Sequence, residues 1–256
     1  MIPSVTLITL HTDECLYPLL LMTTIWLSMQ AQRRRSWILA GVAGVAWYVS
    51  SLFSFALLLA APLMLAFATA EELALSPASD LRTLILALWR TAAGAVLGFG
   101  IAYLVFAMIF HYEFFSGLLG AMAHHAKWKY WRGTISETLH YAWFGCFEFA
   151  LWIGFPAAVL AATNAGRAFL HSSARVAGGL AIPAVVLTLV FMFVAFFGRA
   201  KGETGRLWLL LVPVCCALVA AELNRRGRAL RGVFITCFLG LQWLIIFLTK
   251  ARLDFW

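Results

Sequence analysis

Long apolar runs separated by short polar clusters dominate the pattern along this chain. Eight apolar segments can be distinguished, at about 15–32, 37–52, 54–70, 91–110, 141–163, 176–197, 207–223 and 232–250. A helix needs about 20 apolar residues to cross the hydrocarbon core of a bilayer, and several runs approach that length. The pattern predicts an all-α, polytopic bundle of about eight transmembrane helices, forming a single integral membrane domain over residues 1–256.

The apolar run from Trp37 to Ala70 is the least regular of these segments. It is too long for one ordinary span and short for two. Ser50, Ser51 and Ser54 interrupt it near its middle, and Pro62 follows. We therefore expect a tight hairpin of two short helices.

Arginine clusters between the apolar segments predict the orientation. They follow the first, fifth and seventh segments, at Arg33–Arg35, at Arg167 and Arg175, and at Arg225–Arg231. Basic loops stay in the cytoplasm by the positive-inside rule, which requires an even number of crossings between the first two clusters. The hairpin supplies that number. Both termini are then outside, and a bacterial inner (plasma) membrane is the expected location.

Composition and charge narrow the partners and cofactors. The formal net charge is +8, but the basic residues cluster between apolar spans, so we expect contacts with membrane lipids and not with nucleic acid. The five cysteines, all in or beside apolar runs, show no metal-binding spacing and are interpreted as small buried side chains. No cofactor is indicated, and no metal site, although the acidic residues are compatible with a divalent cation.

The segment between the fourth and fifth spans predicts a helix at the membrane surface over 113–131. Phe115, Leu118, Leu119, Met122 and Ala126 recur at helical spacing, and a cationic aromatic run from Lys127 to Arg132 follows. Such a helix lies in the interface with its rings at headgroup depth. It is either a membrane anchor or a platform on which Lys127, Lys129 and Arg132 hold the phosphate of a lipid-linked substrate.

Glu148 is the acidic residue placed deepest in a predicted span. It lies seven residues into segment 141–163, or about 10 Å along the helix. An ionisable residue at this depth is a candidate functional residue unless it is buried in neutral or hydrogen-bonded form. Pro156 permits a kink that would open a wet cavity.

Two outer segments carry further candidates. Asp13 and Glu14 precede the first span, either as a carboxylate pair for a sugar, a metal or a basic group, or as a solvated helix start. Glu203 and Arg206 lie in a glycine-rich loop, either as an ion pair or anion site, or as an ordinary capped loop. Gly94-x-x-x-Gly98 is explained by helix packing alone.

Three of these segments together resemble a known class of enzymes. They are Asp13-x-x-x-Tyr17-Pro18, Glu148-Phe149 with Gly154-x-Pro156, and Gly202-Glu203-x-x-Arg206-x-Trp208 with Pro213. In this order they resemble the GT-C-type membrane glycosyltransferases, specifically the bacterial multi-pass proteins distantly similar to protein mannosyltransferases. The resemblance covers the later helices of that family without its N-terminal catalytic half.

The resemblance implies transfer of a sugar from a polyprenyl-phosphate donor on the outer face, by a working enzyme or by a truncated or inactive portion of one. Glu148, Glu203, Arg206, Lys127, Lys129 and Arg132 are then expected to bind the substrate. No catalytic residue is assigned; Asp13 and Glu14 are candidates for the base and, by analogy, are better suited to binding. We expect Asp13, Glu148, Glu203 and Arg206 to converge on one outer cavity.

A transporter or a non-catalytic membrane subunit is the alternative. Glu148 would then be a translocation residue, and the outer cations would be lipid anchors. Transport ranks second because the sequence shows no convincing internal repeat.

Overall fold

A computed structural model describes residues 16–76, 81–128, 134–170, 180–197 and 208–225, together with parts of 232–247. Within these ranges every regular element is helical, which confirms the all-α fold class. The α-helices are α1 (Leu16–Arg33), α2 (Trp37–Phe53), α3 (Ala60–Leu75), α4 (Leu81–Phe110), α5 (Phe114–Trp128), α6 (Ile135–Ile153), α7 (Phe155–Leu170), α8 (Ala181–Phe197) and α9 (Val212–Arg225). Short 3₁₀ turns, Phe55–Leu59 and Leu209–Leu211, precede α3 and α9.

The helices differ in whether they are long and apolar enough to cross a membrane. Among the described residues, Phe55–Leu75 and Leu81–Phe110 meet both conditions, and α6 with α7 would add a third span if this bent pair is counted as one. The described parts of the first seven predicted segments are helical, the fifth as two helices, but the count of eight spans stays a prediction. The fourth begins earlier than expected, at Leu81 instead of residue 91.

The chain divides into two compact units. One comprises Leu19–Glu137; the other comprises Met1–Pro18 with Thr138–Trp256. In the first unit the apolar run breaks into two helices where the serines predict it, while the tight hairpin stays a prediction. Helix α2 ends at Phe53, and the Ser54 side chain accepts a hydrogen bond from the Ala56 backbone N–H at the start of the 3₁₀ turn.

Helices α2 and α4 of the first unit pack backbone against backbone. The carbonyl oxygen of Ala95 lies where a side chain at Gly44 would begin, and that of Gly41 lies where one at Gly98 would begin. Such an approach requires glycine because any Cβ atom would overlap the facing carbonyl. The packing role predicted for Gly94-x-x-x-Gly98 is confirmed.

An aromatic cluster at the other end of α2 holds the predicted surface helix. The fully buried Phe114 at the start of α5 packs against Tyr48, with ring centroids 5.4 Å apart. The apolar stripe of α5 stays uncovered, since Phe115, Leu119 and Met122 are exposed. Helix α5 lies within the predicted range 113–131, but its orientation along a membrane surface stays a prediction.

The second unit contains a sharp break within the predicted span 141–163. Helices α6 and α7 are bent by 113°. The break is at Gly154, whose φ of 94° is accessible to glycine and costly for other residues. Pro156 lies in the first turn of α7, where its missing N–H would be unpaired in any case. The predicted span therefore comprises two helices, and the turn is made by the glycine two residues before the proline.

Candidate functional site

Two of the residues proposed to bind substrate lie in the described part of the chain, Glu148 and Lys127. Asp13, Glu14, Lys129, Arg132, Glu203 and Arg206 lie outside it, so their predicted convergence stays a prediction. Lys127 is exposed in the last turn of α5, in the first unit. Glu148 lies on α6, in the second unit.

Glu148 lies deeper along its helix than the sequence predicted. Because α6 begins at Ile135, the carboxylate is about 20 Å from the helix start instead of about 10 Å. Its Oε1 atom accepts a long hydrogen bond of 3.4 Å from the Trp152 indole N–H. Its Oε2 atom is buried and has no hydrogen-bond partner among the described residues. A buried carboxylate oxygen without a donor is costly, which favours a ligand or water at this position.

A cavity of about 410 Å³ lies in the same unit, among α6, α7, α8 and α9. Its walls are almost entirely apolar; of the described residues that line it, Thr188 alone carries a hydroxyl group. Alanines on α7, including Ala158, Ala161 and Ala165, provide the space because their side chains are short. A cavity of this character suits a hydrocarbon chain.

Glu148 and the cavity lie on opposite flanks of α6. The helix buries Ala142, Gly145, Phe149 and Ile153. At about 100° per residue, Cys146 and Ala150 fall on the flank that lines the cavity, whereas Glu148 falls on the other. Phe149 lies between them, so the carboxylate is beside the cavity wall without lining the cavity.

Three aromatic rings join the segments that carry the predicted motifs. Phe149 packs against Phe191 and Trp208, with centroids 5.2 and 5.7 Å apart, and Phe191 lies 5.0 Å from Trp208. Phe149 follows Glu148 directly, and Trp208 is two residues beyond Arg206. The cluster therefore brings the middle and last motif segments into contact.

The first unit contains a buried polar network that the sequence pattern did not predict. Glu72 is fully buried; its Oε2 accepts from Gln32 Nε2 at 2.6 Å, and its Oε1 accepts from Arg35 Nη2 at 3.1 Å. Thr91 Oγ1 donates to Gln32 Oε1 at 2.6 Å. Glu71 Oε1 accepts from Arg33 Nε at 2.7 Å. The signal was present, because a Glu-Glu pair directly follows an apolar run and three arginines follow another.

The second unit contains a comparable ion pair. Arg167 Nη1 donates to Glu222 Oε2 at 2.9 Å, and Glu222 is fully buried. The pair joins the end of α7 to the end of α9, so these two ends lie on the same side of the unit. Both networks hold arginines that the sequence analysis assigned to the cytoplasmic side.

Comparison with family models, with curated proteins and with solved structures finds no match to this chain.

Proposed function

We propose that this chain is a membrane glycosyltransferase-like protein that transfers a sugar from a polyprenyl-phosphate donor on the outer face of the membrane. The proposal rests on the contact between Phe149, which follows Glu148 in the chain, and Trp208, which follows Arg206 by two residues. It also draws on the resemblance of these two segments to GT-C-type enzymes.

The apolar cavity supports a lipid-linked donor over a free sugar nucleotide. Phe149 and Phe191 belong to the aromatic cluster and also line the cavity. A polyprenyl chain in the cavity would therefore end beside the motif segments. The arginine fork of Arg206 suits the donor phosphate, and Glu148 suits the hydroxyl groups of the sugar.

The proposed reaction is a displacement at the anomeric carbon of the donor. An acceptor hydroxyl oxygen forms the new bond to that carbon while the bond from carbon to phosphate oxygen breaks. Polyprenyl phosphate leaves, and a carboxylate takes the acceptor proton. Asp13 and Glu14 are the candidates for this base.

Glycosyl transfer is tested with purified protein in liposomes that contain a polyprenyl-phosphate hexose with a radiolabelled sugar, together with a cell-envelope fraction that supplies acceptor hydroxyl groups. We expect label to leave the donor as polyprenyl phosphate is released. Glu148→Gln should slow this at least about tenfold, because an ionised carboxylate hydrogen-bonds more strongly than an amide. Glu113→Gln, at an exposed position, is the matched control and should match the unsubstituted protein. No release of label by the unsubstituted protein, or an equal rate in Glu148→Gln, would contradict the proposal.

Transport of a lipid-linked sugar is the second candidate, and the 113° break at Gly154 favours it. Discontinuous helices are frequent in transporters, where they line a substrate path. The same liposomes distinguish the two functions. A transporter would move the intact donor between leaflets, which changes how much of its sugar is oxidised by membrane-impermeant periodate, without releasing polyprenyl phosphate.

A further inference from the structure

A cavity of about 240 Å³ lies within the first unit, among α1, α2, α3 and α4. Most of its wall is hydrocarbon, from residues such as Pro62, Met64 and Val96. Three lining residues carry polar atoms: Ser28, Trp47 and Thr91. The proposed function makes no use of this cavity.

Trp47, which lines the cavity, carries a buried hydrogen-bond donor that is unused among the described residues. Its Nε1 atom is buried and has no partner among the described residues. The two hydroxyl groups have already donated: Ser28 Oγ donates to the Ile25 carbonyl at 2.7 Å, and Thr91 Oγ1 donates to Gln32 Oε1 at 2.6 Å. Because a buried donor without a partner costs free energy, the indole N–H favours a ligand with an acceptor atom.

None of the described residues that line the cavity is charged, which indicates a neutral ligand. Glu72 and Arg35 pair with each other and are absent from the described residues that line the cavity. A charged ligand would thus have no counter-ion in this apolar space. A dry cavity of about 150 Å³ already admits benzene, so this one has room for a larger ring compound.

We propose that this cavity binds a small neutral ring compound through one carbonyl oxygen, which accepts a hydrogen bond from Trp47 Nε1. A carbonyl group fits because it brings an acceptor and needs no acceptor of its own. The apolar body of the ligand fills the space between Pro62, Met64 and Val96. The compound is not a substrate of the proposed glycosyl transfer, so the two proposals stand or fall separately.

Benzophenone is a suitable probe because it is a neutral aromatic ketone that labels C–H bonds on illumination. We expect saturable labelling of Met64, Leu65 or Val96, identified by peptide mass spectrometry of purified protein in micelles. Trp47→Phe keeps the ring but removes the donor, and should raise the half-saturating concentration about five- to tenfold. Trp89→Phe, on the exposed part of α4, is the matched control and should leave it unchanged.

A competition with the unsubstituted protein is independent of the folding of any variant. Acetophenone and ethylbenzene have similar shapes, but ethylbenzene lacks the carbonyl group. At equal concentration in the micelles, acetophenone should displace benzophenone about five- to tenfold more effectively. Equal displacement by the two compounds, labelling that does not saturate, or unchanged labelling of a folded Trp47→Phe variant would overturn the proposal.

Discussion

Buried charge is the main residue-scale feature of this chain. Glu72 and Glu222 are fully buried, and each accepts from an arginine whose side chain is partly exposed. A glutamate in this position is stabilised only while its donors remain, since a buried carboxylate without them is costly. Arg35 reaches Glu72 from the end of α1, where a positive φ of 50° reverses the chain. These residues thus fix the ends of helices.

Glu72→Ala should destabilise the fold more than Glu71→Ala does. Glu72 accepts from both Gln32 and Arg35, and its removal leaves the buried amide of Gln32 without its acceptor. We expect a loss of about 3 kcal/mol in the free energy of unfolding. Glu71 pairs with Arg33, whose side chain is 57% exposed and can be hydrated instead, so its loss should be smaller. Unfolding in detergent, followed by circular dichroism, measures both; equal losses would show that Glu72 is not the principal residue of the network.

At the scale of secondary-structure elements, single glycines determine how two helices pack and where a helix breaks. Gly98 allows α4 to contact the backbone of α2, and Gly154 makes the turn between α6 and α7. The sequence predicted the first because small residues four apart are a known packing pattern. The kink between α6 and α7 was attributed to Pro156, because the sequence does not reveal that Gly154 adopts a positive φ. The sequence also missed Phe114, whose burial depends on contacts with residues distant in sequence.

Gly98→Ala should weaken the packing of α2 on α4. The added methyl group would overlap the Gly41 carbonyl, so the helices must separate, at a cost of about 1–3 kcal/mol. Gly100→Ala on the same helix meets no atom within 4 Å and should be neutral, or stabilising by up to about 1 kcal/mol through helix propensity. Thermal unfolding of the two variants in the same detergent makes the comparison. A Gly98→Ala variant as stable as Gly100→Ala would contradict this packing.

At the scale of the whole molecule, the two compact units share an internal arrangement. Among the described elements of each unit, a helix that ends near an arginine precedes a second helix. A 3₁₀ turn and a helix with a buried glutamate near its end come later in the chain. The pairs are Arg35 with Glu72 and Arg167 with Glu222. Within each unit, the ion pair places the two paired helix ends on one side. The sequence shows no convincing repeat because the similarity lies in the order of elements and contacts.

Some features of the fold follow from the hydropathy of the sequence, and others depend on contacts between distant residues. Apolar runs predict helices because lipid and a protein core both require apolar side chains, and the serines predict the helix end at Ser54. The predicted third segment stopped at residue 70, just before the first charge, yet α3 continues to Leu75 with Glu71 and Glu72 buried. Hydropathy alone cannot identify a buried carboxylate whose donors come from another helix. The candidate site stays a prediction: Phe149 and Trp208, from two motif segments, are in contact, and Glu148 lies on the flank of α6 away from the cavity.

The predicted orientation places Arg34 in the cytoplasm and Ser116 outside. Both positions are exposed, so a cysteine at either is open to reagents. In a protein whose native cysteines are replaced by alanine, Ser116→Cys should react with an impermeant maleimide added to intact cells. Arg34→Cys should react only after the membrane is permeabilised. Labelling of Arg34→Cys in intact cells would refute the orientation.

The central claim, that the second unit binds a polyprenyl-phosphate donor, is tested most directly by photolabelling. The probe is a polyprenyl-phosphate hexose with a diazirine in its chain, bound to the purified protein in nanodiscs. We predict adducts at cavity residues such as Phe149, Leu187 or Met192. Ala161→Phe, which fills the cavity, should abolish them, and Ala168→Phe, at a position on α7 that does not line it, should not. Adducts that are confined to lipid-facing residues, or that persist unchanged in a folded Ala161→Phe variant, would contradict the account.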